Sequence, residues 1–251
     1  MSETVLATRG LRKNFGSLVV AGDINIELPR GARHALIGPN GAGKTTLINM
    51  LTGMLQPDAG QIMLEGADVT GLKPAARVHR GLVRTFQINT LFPRLCAIEA
   101  VTLAICEREG HARNWWRRLP VYRDAIDEAY AILSSLQLGA DCTRVTRELA
   151  YGQQRLLEIS LALAAKPRVL LLDEPAAGVP RSESSALFQA IAGLPANITV
   201  FFIEHDMDIV FKFASRIIVL VGGRVLVEGA PSEIAADQRV REVYLGHGKH
   251  G

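Results

Sequence analysis

Residues 38–45 read G-P-N-G-A-G-K-T, a complete P-loop pattern, and it constrains the fold more than any other feature because it requires a strand before it and a helix after it. Gly38, Gly41 and Gly43 let the backbone fold closely around an anion with its N–H groups pointing inward. Lys44 supplies an ammonium for the β- and γ-phosphates of a nucleotide. The Thr45 hydroxyl stands where it can ligate Mg²⁺, at the start of a helix whose N-terminal dipole favours negative charge. The flanks agree: Ala35, Leu36 and Ile37 suit a buried strand, and residues 47–51 suit a helix. A glycine-rich turn that matches by chance would not come with both. The predicted ATP-binding residues are Gly38, Pro39, Asn40, Gly41, Ala42, Gly43, Lys44, Thr45 and Thr46.

A chain of 251 residues with 48% hydrophobic content can bury a real core, as one large domain or a domain with an insert. Its net charge of +3, without a long Lys/Arg block, points to no nucleic-acid partner. The densest basic stretch, residues 113–118, interleaves arginine and tryptophan, which suits a membrane interface or a solvated helix end. Cys96, Cys106 and Cys142 are odd in number and lack C-x-x-C spacing, against a disulfide framework or zinc site and in favour of a reducing cytosol. No signal peptide is expected from the Met-Ser-Glu-Thr start, and no membrane span, the strongest apolar run (217–221) being of strand length.

Along the chain, β character runs from Val5 to Phe15, and residues 24–28 alternate apolar with polar before the turn at Pro29 and Gly31. With a strand at 61–64 they read as an antiparallel layer. The pattern turns helical from Cys96 to Leu138, broken around 110–120, and a helical insert is expected over 89–156. Strands at 169–173, 198–203, 217–221 and 225–228, with a helix near 184–193, indicate a parallel sheet in an α/β fold.

Residues 169–172 are an apolar strand that ends in Asp173 and Glu174, a Walker B pattern. Asp173 is placed to hold Mg²⁺, directly or through water. Glu174 is placed to polarise the attacking water, since phosphoryl transfer depends on positioning and charge stabilisation. An acidic strand end alone would be unremarkable; downstream of a P-loop it completes a hydrolytic site.

With these motifs in this order, the sequence resembles the nucleotide-binding subunits of ABC transporters over essentially its whole length. Phe15 matches the aromatic that stacks on adenine in that family, though an isolated Phe is more often core. Gln87 matches the Q-loop glutamine that reaches the metal and the attacking water, and His205 the switch histidine at the γ-phosphate. Residues 149–154, L-A-Y-G-Q-Q, stand at the signature, with Ala150 and Tyr151 in place of the usual Ser and Gly. Ala150, Tyr151, Gly152 and Gln153 would then face the ATP of a partner subunit. Residues 176–180 stand at the D-loop, with Pro180 replacing the common Asp or Asn.

The resemblance implies a single ABC ATPase domain over 1–251, with a RecA-like core and antiparallel β layer at 1–88 and 157–251 and a helical subdomain at 89–156. It implies an ATPase whose catalytic residues are Glu174, His205 and Gln87, with Thr45, Gln87 and Asp173 at Mg²⁺. The implied partners are a second ATPase subunit in a homo- or heterodimer, two transmembrane permeases and, indirectly, a periplasmic binding protein. The implied place is the cytoplasmic face of the inner membrane, as a peripheral subunit. The motif set, with residues 243–246 (V-Y-L-G), looks like the larger ATPase subunit of branched-chain amino-acid importers. Alternatives are the ATPase of a lipid or lipopolysaccharide exporter and a soluble ATPase of the iron–sulfur assembly type.

Overall fold

The structure is a computed structural model, and it describes residues 3–85, 91–111 and 122–245. The chain divides into two compact units, one of Met1–Leu82, Arg168–Pro175 and Ala196–Gly251, the other of Val83–Pro167 and Ala176–Pro195.

The first unit is built on two sheets. Strands β1 (Thr4–Phe15) and β2 (Leu18–Pro29) pair antiparallel, and β4 (Ala59–Leu64) with β5 (Ala67–Asp68) extends the layer in the order β2-β1-β4-β5. Side chains alternate across a strand, so Ile24, Ile26 and Leu28 are buried while Asn25 and Glu27 face water. In the larger sheet β3 (Arg33–Ile37), β7 (Val169–Asp173), β8 (Thr199–Ile203) and β9 (Arg216–Val221) are parallel neighbours in the order β9-β3-β8-β7. β10 (Arg224–Gly229) forms one edge, and the short strand β6 (Leu82–Arg84) begins where the unit's first segment ends. These central strands are apolar without alternation because both of their faces are covered. Leu36, Ile62, Leu171, Phe201 and Ile218 share one core with Leu47 and Ile48 of α1 (Lys44–Thr52).

Four further helices of this unit were not anticipated: α2 (Pro74–His79), α7 (Met207–Phe213), α8 (Pro231–Ala236) and α9 (Gln238–Leu245). Each is short, below the length at which periodicity becomes legible. Arg77 of α2 is fully buried and donates to the carbonyls of Met50, Leu51, Thr70 and Leu72 at 2.6–3.0 Å. Two of those carbonyls belong to the last turn of α1, which a helix cannot satisfy internally.

The second unit is helical. α3 (Ala97–Arg108), α4 (Arg123–Ser135) and α5 (Tyr151–Ala164) enclose Val101, Ile105, Ala129, Leu133, Leu149 and Leu157, and α6 (Arg181–Ala192) belongs to the same unit. Arg108 ties three helices together, reaching both Glu128 oxygens at 2.7 and 2.8 Å and the Ala164 carbonyl at 2.7 Å. The unit therefore starts before residue 89 and continues past 156, because Leu157 and Ala164 pack into the cluster of α3 and α4. The basic, tryptophan-containing stretch 113–118 lies outside the described residues, among which no helix is long and apolar enough to cross a membrane.

His34 lies in the centre of the sheet at 2% exposure, and burial, aided by Arg216 on the adjacent strand, lowers its pKa from 6.5 to about 4. The unfolded chain therefore takes up this proton first. The contribution of His34 to stability is complete above pH 6.5 and is lost as pH falls from 6.5 towards 4. Unfolding free energies from urea melts between pH 7.5 and 5 should fall with a component of up to roughly 1.4 kcal/mol per pH unit that His34→Leu removes.

Candidate nucleotide site

The P-loop joins β3 to α1, and its shape is set by backbone proximity. A Cβ on Gly43, whose φ is 101°, would sit 2.5 Å from the Val20 carbonyl oxygen, and one on Gly38 would collide with that of Leu220. Ala42 accepts from the Gly223 amide at 2.9 Å, and the Gly223 carbonyl accepts from Gly22 at 2.8 Å. The loop is thus laced to the β9–β10 turn and to β2.

Lys44 is buried and folded back over its own loop, with Nζ donating to the Gly38 carbonyl at 2.7 Å and that of Pro39 at 3.2 Å. Burial pulls its pKa below the ordinary lysine range, and the charges of Glu174 and Asp173 oppose that. The ammonium and the two carboxylates therefore share one electrostatic environment. Asn40, Gly41 and Thr45 are exposed and Thr46 half-buried, so the loop and the start of α1 stay open to a phosphate chain.

Strand pairing brings the catalytic candidates together. Asp173 of β7 is level with Ile203 of β8, so the residues just past the two strand ends are neighbours. Glu174, held at φ 49° with its amide donating to the Ile203 carbonyl at 3.1 Å, places Oε1 2.9 Å from Nε2 of His205. A left-handed backbone at a glutamate is a strained position, and such positions persist where the surroundings hold them. Glu204 is buried and accepts from the His205 amide at 3.2 Å, while Asp206 caps α7 by accepting from Asp208 and Ile209. The histidine therefore sits between two fixed neighbours. Gln87 lies outside the described residues.

Phe15, 53% exposed at the end of β1, presents a ring to solvent. The Lys13 ammonium stands 5.7 Å from its centroid and is fixed by Asp58 at 2.6 Å, which also accepts from the Asn14 amide at 2.7 Å. Those two hydrogen bonds hold the Asp58 carboxyl below the usual carboxylate range. Sequence reasoning missed this clamp, and also Tyr244 of α9 as a neighbour of the P-loop. Burial pushes the Tyr244 hydroxyl up to about 12 against a hydrogen bond from the Gly38 backbone.

In the helical unit Ala150 is the N-cap of α5. Gln153 closes the cap by accepting from the Ala150 amide at 3.1 Å, and its Nε2 donates to Asp141 at 2.6 Å. Its side chain is engaged at home, which leaves the first-turn amides, orphaned in any helix, as the groups suited to an outside acceptor. A Cβ at Gly152 would lie 2.8 Å from a Glu183 carboxylate oxygen, the movable end of a flexible side chain.

The family model described as ABC transporter matches residues 21–177, and that of the branched-chain amino acid ATP-binding cassette transporter matches residues 224–250. The high-affinity branched-chain amino acid transport ATP-binding protein BraF of Pseudomonas aeruginosa is 38% identical, over 98% of this chain and 99% of its own. LivG of Escherichia coli, with the same description, is 37% identical over the same shares. A crystal structure of an ATP-binding cassette of an ABC transporter in its ADP conformation superposes with a TM-score of 0.85 at 32% identity, covering 97% of this chain and 99% of that one. A dimeric bacterial cassette, 22% identical over 90% of this chain and 98% of its own with a TM-score of 0.72, shares the fold. Matched by the family model over most of its length and similar end to end to transport ATP-binding subunits, the chain belongs to the ABC transporter ATP-binding cassette family, as an ATPase.

Proposed function

We propose that this ATPase powers a membrane importer of branched-chain or related amino acids. The observation that carries the hydrolytic part is the Glu174–His205 contact of 2.9 Å beside the P-loop and Lys44. The cargo rests on full-length similarity to BraF and LivG.

The loop amides and Lys44 bind the phosphates, and Phe15 stacks on the base. Thr45 and Asp173, with Gln87, would hold Mg²⁺; an exposed threonine at the start of α1 and a carboxylate close enough to act on Lys44 fit that ion. When bound, Mg²⁺ neutralises charge on the phosphates. Glu174 polarises the attacking water, and His205, as the Nε2–H tautomer, donates to Glu174 and keeps its carboxylate aimed. The first turn of α5, with Ala150, Tyr151 and Gly152, meets the nucleotide of a second subunit, so a monomer holds an incomplete site. Only a ligand that binds the closed dimer more tightly than the open one can do work on permeases.

The assembly comprises a second ATPase subunit and two permeases at the cytoplasmic face of the membrane, with a periplasmic binding protein delivering cargo from the other side. Gentle detergent purification of the tagged chain from native membranes should bring down two multi-span permeases and a second, shorter ATPase. Soluble scaffold proteins alone would refute the transport reading, and lipid-exporter components would replace the cargo.

Glu174→Gln should keep nucleotide affinity within a few-fold but lower turnover in the assembled complex by about 100-fold or more, trapping the closed dimer; steady-state phosphate release and size-exclusion with ATP check this. Gly43→Ala, whose new Cβ meets the Val20 carbonyl, should weaken binding of a fluorescent ATP analogue by roughly ten- to a hundredfold. Gly41→Ala, which has open space, should lose less.

A further inference from the structure

Tyr151 is fitted to the loop at 176–179 within the helical unit. Its hydroxyl donates to the Ala177 carbonyl at 3.3 Å, and its ring occupies the space that a side chain on Gly178 would need: a Cβ there would lie 2.9 Å from the tyrosine oxygen and 3.1 Å from its Cζ. Gly178 has φ 77°, a conformation that glycine adopts at low cost. A tyrosine in the first turn of α5 and a bare backbone in the loop are therefore complementary shapes.

Arg155, one turn further along α5 and 7% exposed, closes the contact. Its Nη2 donates to the same Ala177 carbonyl at 3.1 Å and to the Tyr151 oxygen at 3.3 Å, while its guanidinium carbon stands 5.4 Å from the tyrosine ring centroid. Nη1 pairs with Glu158 at 3.0 Å, both side chains being buried. Yet Nε of Arg155 and Oε1 of Glu158 have no hydrogen-bond partner among the described residues. A buried ion pair with orphaned polar atoms is a poor source of stability, and apolar residues of similar volume commonly do as well. What this pair does achieve is a fixed guanidinium that grips one particular carbonyl.

We propose that Tyr151 and Arg155 are positioning residues for ATP hydrolysis, clasping the first turn of α5 to Ala177, three residues along the chain from Glu174. The clasp makes the signature turn and the loop one mechanical piece. When a partner's nucleotide fixes the first turn of α5, the same displacement reaches the segment that carries Glu174 through Ala177 and the short chain between them. Substitution of tyrosine for the family's usual glycine thus supplies a coupling contact. This role rests on the ATPase cycle proposed above.

Tyr151→Phe keeps the ring against Gly178 and removes the hydroxyl, and Arg155→Lys keeps the charge but loses the planar fork. In the assembled complex each should lower kcat by about fivefold, the effect of one lost hydrogen bond, with KM for ATP unchanged within twofold. The double variant should be no slower than the worse single one, because the two residues act through one carbonyl. Amide hydrogen exchange at residues 176–179 of the full chain should quicken in both variants, with the thermal midpoint unchanged. Exchange identical to wild type would overturn the clasp. Quickened exchange with unchanged kcat, or a raised KM at constant kcat, would overturn its role in hydrolysis. A wild-type complex that hydrolyses no ATP would refute the ATPase cycle, while exchange at 176–179 would still decide whether the clasp exists.

Discussion

The site depends on a backbone packed against backbone. Around residues 38–43 the P-loop lies so close to β2 and to the end of β9 that Gly38 and Gly43 have no room for a side chain, and hydrogen bonds run from Ala42 through Gly223 to Gly22. A loop held by neighbouring main chain has little freedom to relax, so its shape is set during folding, the condition under which a phosphate would meet preorganised dipoles. The antiparallel layer and the parallel sheet serve as the two walls of this mould.

Charge inside the first unit is handled by the same means. Arg77 is buried among four carbonyls, two from the last turn of α1, so the helix that begins at the P-loop is anchored at its other end by a cation of the sign its dipole favours. Lys44, at the first end, spends its donors on the Gly38 and Pro39 carbonyls. In the proposed site, phosphate oxygens would offer that ammonium charged acceptors in place of neutral ones, an exchange that exposes no unpaired cation. Burial pulls the lysine pKa down, and the carboxylates of Glu174 and Asp173 oppose that pull in part.

In the helical unit the polar groups that matter are shared between elements. Arg108 joins three helices through Glu128 and Ala164. Arg155 and Tyr151 converge on the Ala177 carbonyl, and Gln153 closes the cap of α5 while reaching Asp141. A planar guanidinium with several donors in a fixed fork suits such bridging, because one side chain can hold two partners at a defined angle.

Much of this was legible in the sequence. The P-loop with its strand and helix, the apolar strand ending in Asp173 and Glu174, the alternation at residues 24–28 and the helical character of α3 and α4 all follow from local rules of spacing, propensity and apolar periodicity. Short helices such as α2 and α9 escaped because one or two turns carry too few residues to show a period. The end of the helical unit was misplaced because Leu157 reads equally well as core of either unit until its neighbours are known. Sequence by itself picked out the groups proposed to bind phosphate and to carry the acid–base chemistry, since each motif is contiguous and its chemistry is fixed by residue type. Tertiary structure alone decided which of them meet. Glu174 reaches His205 because β7 and β8 pair with Asp173 level with Ile203; Arg77, Tyr244 and the Tyr151–Gly178 fit join residues far apart along the chain, and no local interaction encodes a contact whose partners come together only when sheets and helices pack.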